Sequence, residues 1–179
     1  EDADPDDKFK FGIAKDNRAD FSLDGSNLLT KRPFDYEEEK SFTIAVQVTD
    51  SGGEKIVDNV TVTVENENEK PVLVSPKEAT FNHPENAGKI VARISVEDPD
   101  ENQSSVKFKL TKSEDKDHFK ITRAGDLAFL REPDYENAVD ANKDNVYTIT
   151  YKAIDSKDDK LHVSGKVHVR VKDSEETEV

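Results

Sequence analysis

The chain has 179 residues, 33% of them hydrophobic, with 40 acidic against 26 basic residues and a net charge of −14. That balance argues against phosphate backbones and anionic membrane surfaces as partners and in favour of cations, and so few apolar residues support two small cores better than one large one. Cysteine is absent, which excludes disulfides, thiolate metal sites and a cysteine nucleophile.

The acidic start, Glu1-Asp-Ala-Asp-Pro-Asp-Asp7, is the reverse of a signal peptide, and no apolar run approaches the length of a membrane span. The expectation is a soluble fragment or mature segment. Apolar residues then recur with period two, first at Phe9, Phe11 and Ile13. Phe42, Ile44, Val46 and Val48 alternate with Thr43, Ala45, Gln47 and Thr49, which predicts a half-buried strand. Ser51-Gly-Gly53 predicts a hairpin loop leading to a second alternating run, Val60 to Val64.

Next comes Glu65-Asn-Glu-Asn-Glu-Lys-Pro71, an acidic, extended junction. Pro71 cannot donate to a strand ladder and biases Lys70 towards extended backbone, so one domain, 1–70, ends here and another, 71–179, begins. Asn66, Asn68 and Glu69 offer oxygen ligands suited to a hard cation; a solvated acidic linker is the other reading. Alternation resumes at Ile90 to Val96, Val106 to Leu110 and Tyr147 to Ala153. It is longest at Leu161, Val163, Gly165, Val167, Val169 and Val171, after a loop at Ser156-Lys-Asp-Asp159. No stretch has a capped helical period, so the predicted class is all-β, a sandwich of short antiparallel strands.

The two halves repeat. Asp4-Pro-Asp6 returns as Asp98-Pro-Asp100 after 94 residues, Lys8-Phe-Lys10 as Lys107-Phe-Lys109 and Asp35-Tyr-Glu37 as Asp134-Tyr-Glu136 after 99, Asp50 as Asp155 after 105, and Val64 as Val171 after 107. A slowly growing offset keeps strands matched while loops gain residues. In extended backbone, residues i and i+2 point the same way, so Asp98 and Asp100 are expected to present two carboxylates together, as are Asp35 and Glu37. Like charges so close repel, and a cation resolves the conflict. Calcium accepts six to eight such oxygens, whereas zinc wants His or Cys in an arrangement the chain lacks.

In this order, the motifs Pro84-Glu-Asn86, Asp98-Pro-Asp100, Asp134-Tyr-Glu136, Ala153-Ile-Asp155 and Val171-Lys-Asp173 resemble the cadherin repeat in a disulfide-free, bacterial style. The first half enters the pattern only at Asp4-Pro-Asp6 and lacks the segment equivalent to 79–97. The resemblance implies two tandem immunoglobulin-like Greek-key sandwiches, the first without its N-terminal strands. It also implies a calcium cluster at the junction, with Asp35 and Glu37 from the first repeat, Asn66, Asn68 and Glu69 from the linker, and Asp98, Asp100 and Asp155 from the second. Half-sites follow at the ends: Asp4, Asp6 and Asp50 at one, and Glu85, Asp134, Glu136, Asp173 and Glu175 at the other. Each end is expected to be an acidic tip unless a further repeat adjoins it.

His162 and His168 lie about 20 Å apart along one strand and cannot share a metal. His83 and His118 have no clustered partner, and Tyr36 and Tyr135 fit the sandwich edge better than a glycan platform. Paired carboxylates at domain ends, with no cleft, do not make a glycosidase, so no enzyme is expected. The expected function is a calcium-dependent adhesion or structural module of an extracellular or cell-surface array. Its partners would be calcium, adjoining repeats and another surface protein or polysaccharide, with no nucleic acid and no membrane insertion. A carbohydrate-binding accessory module is the alternative.

Overall fold

The alternating apolar and polar runs of this chain become strands. The structure, a computed structural model, describes residues 8–13, 17–100 and 106–174. Asp4, Asp6 and Glu175 therefore lie outside the described residues. The contacts divide the chain into two units, after Glu67.

Unit 1 holds β1 (Lys10–Ile13), β2 (Phe21–Asp24), β3 (Asn27–Thr30), β4 (Ser41–Thr49) and β5 (Lys55–Thr63). β1, β4 and β5 form an antiparallel sheet with β4 in the middle, in the rows Phe11↔Val48↔Ile56 and Ile44↔Val60. β2 and β3 make a hairpin whose turn needs the positive φ of Gly25, +59°. The core is small: Ile13, Phe21, Phe42 and Ile44, with the Phe21, Phe34 and Phe42 rings 4.3–5.3 Å apart. The expected half-burial of Val60 to Val64 holds for Val62 and Val64, which are partly buried and pack on this core, but Val60 is 43% exposed, and Ile56 and Val57 upstream are 73% and 60% exposed. Alternation describes which way side chains point, whereas burial requires something to cover them.

Unit 2 continues with β6 (Val72–Ser75), β7 (Glu78–Pro84), β8 (Ile90–Arg93), β9 (Ser95–Glu97), β10 (Val106–Leu110), β11 (Phe119–Ile121), β12 (Asp126–Phe129), β13 (Val146–Asp155) and β14 (His162–Lys172). One sheet runs β10-β13-β14-β7, a second β11-β12-β8, and β6 pairs with β9. All pairs are antiparallel except β7 on β14, which is parallel, from Lys166↔Glu78 to Lys172↔Pro84. The core includes Ile94, Leu127, Phe129, Tyr147, Ile149, Tyr151, Val167, Val169 and Val171. β13 alternates throughout its ten residues, the strongest match between pattern and burial in the chain. The run Ile90 to Val96, expected as one strand, is two. Ile94 leaves the ladder to accept no strand partner of its own, donates to the carbonyl of Gly125 at 2.8 Å, and passes the chain from β8 to β9 in another sheet.

The strand registers also correct the repeat. Lys10↔Thr49 in unit 1 corresponds to Lys107↔Ile154 in unit 2, given that Asp50 corresponds to Asp155. Lys10 thus matches Lys107, and Phe11 rather than Phe9 matches Phe108. A slip of two residues keeps every side chain on its own face, so pattern alone cannot detect it.

Candidate metal centre

Five of the eight expected junction ligands belong to unit 2, and the structure connects them. Asp155, at the end of β13, is 2% exposed and accepts the N–H groups of Lys157 and Asp158, both at 2.7 Å, and the Asn68 amide at 3.2 Å. The loop after β13 folds this way because a carboxylate at its start can satisfy two backbone donors that a tight turn would otherwise leave without partners. Asp98, at the end of β9, is 6% exposed, and its side chain lies in hydrogen-bond contact with that of Asp155. Asp98 also accepts the N–H of Asp100 at 3.2 Å, and Asp100 Oδ2 accepts the N–H of Glu69 at 2.6 Å. Linker residues Asn68 and Glu69 are therefore tied to unit 2.

Burial pushes the Asp155 carboxyl up, but the N–H groups of Asp158 and Lys157, the Asn68 amide and the contact with the Asp98 side chain outweigh it, and the net shift is downward. Two buried carboxyls in contact can share that contact only through a proton or a cation. Asp100 Oδ1 is buried and has no hydrogen-bond partner. A buried carboxylate oxygen without a donor is costly, and it belongs to the oxygen-only donor set that a hard cation prefers. These residues fit calcium.

The other three, Asp35, Glu37 and Asn66, are exposed residues of unit 1. Asp35 does not stand in extended backbone beside Glu37, as the i, i+2 argument requires. Residues 36–38 are a turn, and Asp35 Oδ1 accepts the N–H groups of Glu37 at 2.9 Å and Glu38 at 3.3 Å. Asp98-Pro-Asp100 is likewise a bend closed by its own aspartate rather than extended chain. The physical reason is the same: a short carboxylate prefers the N–H two or three residues on to another anion. Asp50 closes the β4–β5 turn by accepting the N–H of Glu54 at 2.7 Å.

At the far end of unit 2, Glu85, Glu136 and Asp173 bring one carboxylate oxygen each to within 4.8 Å of one another, the group of this kind among the described residues. Glu85 is 3% exposed, held by the N–H groups of Tyr135 at 2.8 Å and Ser174 at 3.0 Å. Asp134 serves Asn137 instead, through its N–H at 2.9 Å and its amide at 2.8 Å. Two buried acids escaped the sequence reading. Asp115 accepts Ala141 and Thr148, and Asp140 accepts Asp144 and Asn145, all backbone N–H groups. The acidic run Asp140-Ala-Asn-Lys-Asp144 before β13 was the available signal. The histidines are each engaged singly. His83 packs on Phe129 and contacts the Gly88 carbonyl at 2.8 Å, and His168 meets Thr148.

The family model for the cadherin domain matches residues 79–172. Among solved structures, human protocadherin-24 EC1-2 is similar with a TM-score of 0.70 and 20% identity, over 93% of this chain and 82% of that one. Mouse cadherin-23 EC22-24 is similar with a TM-score of 0.68 and 15% identity, over 93% of this chain and 53% of that one, so the chain spans about half of that structure. Mouse protocadherin-24 EC1-3 gives 0.65 and 23% identity, over 90% and 54%. A search of the curated proteins finds no match.

Proposed function

The chain belongs to the cadherin family, and from that premise we propose that it is a calcium-stiffened section of an extracellular adhesion array, built as two tandem repeats, 1–70 and 71–179. A cadherin domain is an adhesion-type extracellular module and not an enzyme fold, which supports that setting. The fold likeness over 93% of the chain to structures holding more than one such domain supports the tandem reading.

At the junction, Asp98, Asp100, Asp155, Asn68 and Glu69 would hold calcium from the second repeat's side, with Asp35, Glu37 and Asn66 contributing from the first. Bound there, calcium supplies the positive charge that two touching buried carboxyls and a donorless oxygen require. The chain's own part is to pre-form that cluster: Lys157 and Asp158 orient Asp155, and Asp100 orients Glu69. The reading rests above all on the buried, unpartnered Oδ1 of Asp100 beside that pair.

A calorimetric calcium titration that counts bound ions, with melting in calcium and in EDTA, tests it. Extracellular calcium modules have dissociation constants of about 0.1–1 mM, so about 10 mM calcium should stabilise by about 1.4–2.7 kcal/mol per site. Asp100→Ala should remove most of that gain without unfolding either unit. Identical melting in calcium and EDTA, or a variant that responds like the parent, would leave a solvated acidic linker as the better account. Magnesium, which holds its waters and demands stricter geometry, should substitute poorly.

A further inference from the structure

Net charge is an average over the whole chain, and one face of unit 2 departs from it. In the sheet β10-β13-β14-β7 alternate residues build the core, so the side chains between them point outward to solvent. Those outward positions hold six cations: Lys107 and Lys109 on β10, Lys152 on β13, and Lys166, Arg170 and Lys172 on β14. Among the described residues the one acid in these positions is Glu78 of β7, 3.6 Å from Lys166. Six of the chain's 26 basic residues thus share a face with one of its 40 acidic residues. Lys107 also meets Asp159 of the β13–β14 loop at 3.7 Å, but both partners are largely exposed, and such pairs contribute little. Lys109, Arg170 and Lys172 have no carboxylate partner among the described residues. Lys109 stands directly opposite Lys152, a like-charge pair that destabilises a ladder.

We propose that this face binds a linear sulfated polysaccharide, laid along β14 and across β13 onto β10. The cations form a track. On β14 the side chains of Lys166, His168, Arg170 and Lys172 follow in two-residue steps of about 6.6 Å, and from Ser164, opposite Lys152, to Lys172 the strand advances about 26 Å. Charges repeated at short intervals on a flat surface suit a thin polyanion, whose binding comes from neutralising them and releasing counterions. A protein partner would need a buried apolar anchor, and the face offers Val146 and Ile154, both on β13 and both partly buried already. Thr111, Thr150 and Ser164 bring hydroxyl groups beside Lys166 around a shallow depression of about 550 Å³, which suits the hydroxyls of a sugar. Lysine points to sulfate. Its compact ammonium meets a tetrahedral anion from any side, whereas the planar fork of arginine is what a carboxylate selects, and five of the six cations are lysines. The choice of a glycan over a nucleic acid rests on the extracellular setting proposed above; the track itself does not depend on calcium at the junction.

The probe is size-fractionated heparin, titrated into the full chain by calorimetry in calcium and in EDTA. Saturable binding is expected in both, tightening from a disaccharide to an oligosaccharide that spans the track, because each added sulfate meets a further cation. The logarithm of Kd should rise linearly with the logarithm of salt concentration. Lys109→Gln, Arg170→Gln and Lys172→Gln together should weaken binding about tenfold and lower that slope by about three, while the melt stays that of the parent. Lys89→Gln, Lys120→Gln and Arg131→Gln, which remove the same charge beside the second sheet, should leave binding unchanged. Should the first triple variant unfold, Arg170→Gln alone decides, and its slope must fall by about one. Equal losses from the two triple variants, or a slope that does not move, overturn the face. Tighter binding of polygalacturonate overturns the sulfate, and tighter binding of duplex DNA overturns the glycan. Salt-sensitive self-association that the first triple variant abolishes makes a second copy the occupant and also overturns the proposal. Heparin binding that is lost in EDTA while the chain stays folded overturns direct contact, since calcium would then be the bridge. Intact heparin binding by a chain that takes up no calcium would sink the junction reading and leave this one standing.

Discussion

Gly165 and Tyr151 face each other across β13 and β14, and replacing the glycine by alanine should cost unit 2 about 2–4 kcal/mol. The ring of Tyr151 lies flat over the glycine, fully buried, and its hydroxyl donates to the carbonyl of Pro76. A Cβ on residue 165 would meet Cε1 of the ring at 2.8 Å and the phenol oxygen and its carbon more closely still, distances that real Cβ atoms essentially never show. The ring cannot swing away cheaply. Overpacking of a tight core costs about 1–3 kcal/mol, and loss of the hydroxyl's bond adds about 1 kcal/mol. For a unit of roughly 110 residues this lowers the melting temperature by about 9–17 °C. Calorimetry on the full chain, with the tyrosine absorbance followed in parallel, measures it. Burial without a charged partner holds the Tyr151 hydroxyl up at about 12, so the phenolate should first appear at the alkaline limit in the parent and earlier in the variant. A double-mutant cycle with Tyr151→Phe sharpens the test. Deleting the hydroxyl relieves part of the collision, so the double variant should be more stable than the sum of the singles predicts by more than about 0.5 kcal/mol. Additive singles, or Gly165→Ala melting within two degrees of the parent, would refute the packing argument.

Val167→Asp should unfold unit 2 outright, because Val167 is fully buried and an unpaired carboxylate there costs several kcal/mol, comparable with the stability of a small domain; circular dichroism and a melt check it. In EDTA, Asp155 should make unit 2 acid-sensitive. Its folded pKa lies below the ordinary 3.8, so its contribution is present above that value and is lost as pH falls through the lower folded value; Asp155→Asn should flatten the stability profile in that window, measured by urea midpoints from pH 5 to pH 2.5. Asp115→Ala should destabilise unit 2 by about 1–3 kcal/mol, since the N–H groups of Ala141 and Thr148 lose their acceptor, with exchange of those two amides rising in step.

Residues with the period of a strand disclosed their own geometry well. β4, β13 and β14 could be drawn from Phe42, Tyr147 and Val167 onward, because each has a strand on both sides in its sheet and alternation and burial coincide there; β10, at a sheet edge, could be drawn from Val106 because its inner face packs on the core. The failures occur where a neighbour decides the outcome. β5 alternates from Val60 onward, as β14 does along its length, and is almost wholly exposed. β2, β3 and β12 are four residues each, too short for a period to show, although Asp24-Gly25 and Gly125-Asp126 marked their turns. β6 and β7 lie among Pro71, Pro76 and Pro84, punctuation that reads as loop until a partner strand is known. At the candidate site the residue types were legible and their local shape was not. The aspartates of Asp35-Tyr-Glu37 and Asp98-Pro-Asp100 satisfy backbone donors within their own turns, an option that an argument from extended geometry leaves out.

The parallel pairing of β7 and β14 carries a consequence under load. These are strands near the two ends of unit 2, and a pull on the chain draws the start of β7 and the finish of β14 in opposite directions along the strand axis. From Lys166↔Glu78 to Lys172↔Pro84 the ladder bonds lie across that axis, so all are sheared together and none can be opened one at a time. An antiparallel pair pulled from its two free ends at one edge would instead unzip bond by bond. Force resistance in unit 2 is thus set by the direction of a single short strand, and its rate of rupture under tension is governed by that clamp long before the buried core is exposed.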